Sequence, residues 1–215
     1  MTKEGANTAA AAPQWANPTA AGMVALAVAC FSHAANFAGL VNAGALALLG
    51  CWLLGGFVVQ LIVALLDLKS NNTAGGNTFM FFAAFFMLAG GLEMFFKSGA
   101  IKIAEGVPLD TRIDGFAWLA LTLVLWTWTP AFVSFKYKKF NLLSIIILAL
   151  DVALPVITFV DFKFLDPATQ ADTISFLKLI AAIFLAIAGI FGVYLSATLV
   201  VNTTYGKKVY PIIGK

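Results

Sequence analysis

The sequence predicts an all-α membrane protein with six transmembrane helices, and three observations predict it. Hydrophobic residues make up 61% of the chain against 11% charged, too apolar a balance for a water-soluble domain of 215 residues. Its apolar stretches are long enough to cross a hydrocarbon core about 30 Å thick, which takes roughly 20 helical residues. They also lack the alternation of polar and apolar residues that a barrel strand requires, and lipid hosts only helices or closed barrels.

The spans fall at residues 20–40, 43–66, 78–96, 116–135, 142–160 and 173–201. The first opens at Asn17-Pro18, a preferred N-cap followed by the residue favoured at the first helical position. The second holds Gly55-Gly56 and Gln60. The third follows Gly76-Asn77-Thr78-Phe79, contains Gly90-Gly91, and ends with Glu93 one turn before Lys97, close enough to pair or to snorkel. The fourth carries Trp118, Trp126 and Trp128 for packing or interface anchoring, and Pro130 to kink it. The fifth follows Phe140-Asn141-Leu142 and holds Asp151 and Pro155. The sixth is longer than the core requires, so it tilts or begins in the interface. The paired glycines and Gly189 read as close-packing points between helices.

Lysine placement sets the orientation. With the N-terminus inside, eight basic residues fall on the cytoplasmic side and five on the other, so both termini are expected in the cytoplasm of a multi-pass protein of the cell membrane. Residues 1–16 read as a disordered tail without the charged start and apolar core of a cleaved signal peptide, leaving 17–213 as the transport domain. The net charge of +3 reflects this loop bias and gives no reason to expect nucleic-acid binding.

Catalytic chemistry is poorly provided for. Cys30 and Cys51 both lie in spans and read as small apolar fillers. One histidine, His33, and the absence of ligand-spaced Cys or His pairs argue against a metal or haem, and no nucleophile elbow or phosphate-binding loop occurs. The expectation is a protein without a cofactor that is not an enzyme. Asn17, Asn77 and Asn141 instead open three spans from one side, where helix N-termini and their dipoles favour a small anion. His33 shares a stripe with Cys30 and Asn36, either lining the outer half of a path or bonding between helices.

Three motifs in order resemble a known family. Asn17-Pro18-Thr19-Ala20-Ala21-Gly22-Met23 resembles the N-P-A-P-L-G-L signature of the acetate uptake transporter (acetate/succinate permease) family, and Gly76-Asn77-Thr78-Phe79 matches its G-N-T-F. Tyr194-Leu195 and the block from Asn202 to Ile212 resemble its closing motif, while Gly56, Gln60 and Asp67 fall where the family carries G, Q and a glutamate. The chain departs from the pattern at Ala20, Ala21, Leu199 and Thr203. The resemblance implies six helices, a path through each protomer of a homo-hexamer, and transport of acetate, related monocarboxylates or succinate.

It also implies a hydrophobic gate at Leu26, Met87 and Leu148, of which only the leucine of the fifth helix is kept from the family. These residues lie 9, 10 and 7 positions beyond Asn17, Asn77 and Asn141, near mid-depth. Such a ring would gate by excluding water. Asn17, Gln60, Asn77 and Thr78 are the expected substrate contacts. Asp151 sits at the centre of the fifth span, where an acid costs about 2.5–3.5 kcal/mol to insert, and Pro155 frees its carbonyl. Two readings stand for it: a proton-carrying group coupled to anion movement, or an interhelical hydrogen bond to Ser144, Thr158 or a neighbouring subunit. The function expected is a channel or proton-coupled carrier for acetate-like anions, with a neutral-solute pore for water, ammonia or urea as the alternative.

Overall fold

Six helices run Thr19–Phe37 (α1), Ala45–Lys69 (α2), Thr73–Lys97 (α3), Ile113–Phe132 (α4), Leu142–Asp161 (α5) and Ala171–Tyr205 (α6), each long and apolar enough to cross a membrane. The computed structural model describes residues 15–103, 107–134 and 140–212, so most of the expected disordered tail lies outside the described residues. Among the described residues each helix packs on its neighbour in sequence, and α6 closes the ring against α1. The α3–α4 seam is the sparsest. Connections are short on the α1–α2 and α2–α3 sides, which makes those helices antiparallel neighbours.

The helix starts explain why the chain turns where it does. Asn141 caps α5 through a capping box, its Oδ1 accepting from the Ser144 N–H at 3.2 Å while Ser144 Oγ accepts from the Asn141 N–H at 3.0 Å. At α1 the Asn17 side chain accepts from the Thr19 N–H at 2.9 Å. The third start differs from expectation. α3 begins at Thr73, with Asn72 as its cap accepting from the Gly75 N–H at 3.1 Å. Asn77 is therefore inside the helix, where its amide donates to the Thr73 carbonyl at 2.8 Å. The Gly75-Gly76 pair looks like a break but is helical, and α2 leaves room only for glycine at Gly76: a Cβ there would stand 2.6 Å from Leu68 Cγ.

Two further features fix the register. α3 widens into a π-helix over Phe82–Ala89, which shifts every side chain beyond it relative to an α-helical count. At the α2–α3 crossing a Cβ on Gly50 would lie 2.7 Å from the Gly91 carbonyl, so the two backbones meet directly. Gly189 takes the Phe31 ring and Gly56 takes the Met87 sulfur, whereas Gly55 faces open space and is no packing point. α6, at 35 residues, rises about 52 Å and exceeds the hydrocarbon thickness, as its length in sequence suggests. Beyond it the chain turns at Gly206, in the left-handed region, and folds back: Asn202 Oδ1 accepts from the Val209 and Tyr210 N–H groups, and Tyr194 Oη donates to the Pro211 carbonyl. That strap gives the closing sequence motif its physical content.

Candidate permeation path

Two cavities enter the ring from opposite ends. The first, about 380 Å³, opens where α1, α3 and α5 begin, and Thr19, Gln60, Asp67, Asn72, Thr78 and Asn141 give it a polar wall. The Gln60 side chain is fully buried, and its Nε2 donates to the Gly22 carbonyl at 3.3 Å. A carbonyl requires a donor, so this contact fixes the amide orientation and leaves Oε1 buried with no protein donor. Thr78 Oγ1 is likewise buried without a protein partner. Asp67, only 3% exposed, accepts from Asn72 Nδ2 at 3.0 Å. No lysine or arginine lines this cavity among the described residues.

Deeper, the same cavity is lined by apolar side chains. Leu26, Phe82 and Leu150 line it and are each 4% exposed or less. They stand 9, 10 and 9 residues beyond Asn17, Asn72 and Asn141, the residues that hold the starts of α1, α3 and α5. Their depth is thus common, about 14 Å from the helix starts. Gly22 makes the approach of α1 to α3 feasible, since a Cβ there would lie 2.6 Å from the Phe79 ring.

The second cavity, about 520 Å³, lies at the far end. His33 forms its floor, 5.0 Å from the Phe86 ring centroid, and its Nδ1 donates to the Ala29 carbonyl at 3.0 Å. Phe86 stacks edge-on with both Phe82 below and Trp118 beside it, so an aromatic plug separates the two cavities. On one wall Lys97 pairs with Glu93, one turn before it, and with Asp114 of α4 at 3.0 Å. Outside the spans, in the α3–α4 connection, the Arg112 guanidinium and backbone N–H bond Asp110 and hold its carboxyl well below the usual carboxylate range.

A scan against protein-family models finds no match, and a search of the curated proteins finds none. Among solved structures, the fold is similar to that of the bacterial acetate channel SatP, with a TM-score of 0.71 over 92% of this chain and 99% of that chain at 18% identity. The chain shares the SatP fold. At that identity the likeness is one of fold, and the roles of side chains rest on their own geometry.

Measured by that geometry, the expected sites divide. Leu26, Gln60 and Thr78 share the Gln60 cavity. Asn17 lies just outside it, in a separate pocket that borders it through Thr19, Asp67 and Asn72. Asn77 lines neither cavity, because its amide is held by α3 itself. The expected ring of Leu26, Met87 and Leu148 does not form. Met87 is fully buried against Gly56, turned away by the π-helical winding, and Leu148 is 39% exposed on another face of α5. The face of α5 that lines the cavity is the Ile146-Ile147-Leu150 stripe at i, i+1 and i+4. Asp151 lines neither cavity: Thr129 Oγ1 donates to its carboxylate at 2.7 Å, and the Trp126 indole donates to its carbonyl at 2.9 Å. That carbonyl is the one Pro155 leaves without a helical partner. An interhelical bond across α4–α5 thus holds Asp151, with partners other than Ser144 or Thr158. Phe82, Leu150 and Asn72 were not singled out by sequence, though the Ile146–Leu150 periodicity carried the signal for one of them.

Proposed function

We propose that this protein is a membrane channel or carrier for acetate and related small monocarboxylates. The observation that carries this reading is the SatP fold combined with a polar cavity whose inner wall is apolar at Leu26, Phe82 and Leu150, which we read as a dry neck. In this reading both termini face the cytoplasm of the cell membrane, and the assembly is the hexamer implied by the family resemblance. A carboxylate enters by way of the α1, α3 and α5 N-termini, whose dipoles offset part of its lost hydration. Thr78 Oγ1 donates to it, and the Gln60 amide carbonyl faces the hydroxyl of any protonated acid. The neck then admits only a solute that sheds its water, which sets the size limit. Succinate belongs to the same reading through its second carboxylate. Asp151 lines neither cavity, but its Oδ1 is buried without a protein partner; an unchanged pH profile of uptake in Asp151→Asn removes the proton role, and a flattened one supports it.

One observation favours a second reading. The Gln60 cavity presents a free acceptor, a free hydroxyl, one carboxylate and no cation, a set that also suits a neutral solute such as urea. Labelled acetate flux into proteoliposomes, with urea as the paired solute and with and without an imposed pH gradient, separates the two. Protein-dependent urea flux without acetate flux overturns the carboxylate reading.

A further inference from the structure

The His33 cavity is far larger than an acetate-sized solute needs, and it lies within the range of pockets that hold drug-sized ligands. Its walls are aromatic: Phe37, Phe86, Trp118 and Phe159 surround the space above the His33 ring. Its charged groups differ in how they are paired. On the α3–α4 side Lys97 is held by two carboxylates, Glu93 and Asp114, leaving that wall net negative. Lys163 and Lys178 also line the cavity, near Asp161, which lies within the field of Lys97 and Asp114 as well, and Lys163 is also near Asp110; neither lysine forms an ion pair within 4 Å among the described residues. Lys163 lies in the turn after α5, its backbone in the left-handed region at φ 54°. Asn36 adds an amide whose side chain makes no hydrogen bond among the described residues. Donors from α1, the α5–α6 turn and α6 thus border a chamber that also has aromatic walls.

We propose that this chamber is a binding site for a carboxylate carrying a compact aromatic body. The carboxylate sits against Lys178, Lys163 and Asn36, and the ring lies among Trp118, Phe86 and Phe159. Such a ligand is too wide for the closed neck below and stays in the chamber as a plug. Its binding does not depend on what the channel conducts; only its effect on flux rests on the carboxylate reading above.

Purified full-length protein titrated with phenylacetate tests this directly, with tryptophan fluorescence as the readout and no transport required. Saturable quenching is expected, weakened about fivefold by Lys178→Gln and unchanged by Lys69→Gln at the other end of the molecule. Trp118→Phe should remove most of the quench while retaining binding in a thermal-shift assay. Decanoate and phenethylamine serve as comparison ligands. Tighter binding of decanoate would mark the chamber as a lipid groove, and tighter binding of phenethylamine would mark it as a cation site; either overturns the proposal. So does phenylacetate binding that Lys178→Gln leaves unchanged. If binding behaves as expected but acetate flux is absent, the chamber stands and the transport reading falls.

Discussion

The two cavities of this bundle share an axis and little else. The Gln60 cavity is built from uncharged donors and acceptors at helix starts, with Asp67 as its single ionisable group among the described residues. The His33 cavity is built from ring faces and six charged groups in or beside its walls. In the proposed reading one end therefore handles a solute through directional hydrogen bonds, and the other through field and surface. Charge is strong guidance in a wide, wet mouth and a liability in a narrow one, where an unpaired ion is costly.

Substitutions can break this contrast, and the largest effect is expected at Lys97. Replacing it by Met leaves Glu93 and Asp114 facing each other without a cation, and should cost about 3 kcal/mol in unfolding free energy. Thermal unfolding in detergent checks it, and restoration by Lys97→Arg would show that the cation, and not the stem, is responsible. Next in size is Leu150→Ala, which should cost about 2–3 kcal/mol and let butyrate pass as readily as acetate in vesicle flux assays. If the size limit is unaltered, the neck lies elsewhere. Thr129→Val removes the donor to Asp151 away from both cavities and should cost about 1–2 kcal/mol with no change in solute selectivity. The smallest effect is expected at Leu148, where Ala should change stability by less than about 0.5 kcal/mol and leave the size limit as it is.

Much of the fold was readable from composition and span length, because lipid allows so few alternatives. Asn141 was readable as a helix start, since its capping partner Ser144 is local. The start of α3 was not. Choosing between Asn72 and Asn77 depends on whether Gly75-Gly76 bends or packs, and Leu68, on a different helix, decides it. The proposed neck was half readable. Counting along α1 found Leu26, but counting along α3 began at the wrong residue and crossed a stretch that does not wind at 3.6 residues per turn. On α5 the count ignored which face of the helix looks inward, a property of the assembled ring. Asp151 shows the same limit, since its partners Thr129 and Trp126 lie more than twenty positions away in sequence.

The wide coil over Phe82–Ala89 has one more bearing on the molecule. Such a loosened turn stores a surplus amino acid inside a continuous rod, so the rod tolerates a length that its two fixed ends would otherwise reject. Asn72 anchors one end beside α2, and the clasp of Lys97 with Asp114 anchors the other on α4. Trimming a single residue between those anchors should tighten the coil to ordinary pitch without dislodging either, whereas the same deletion in the uniformly wound α2 would rotate half its length out of place.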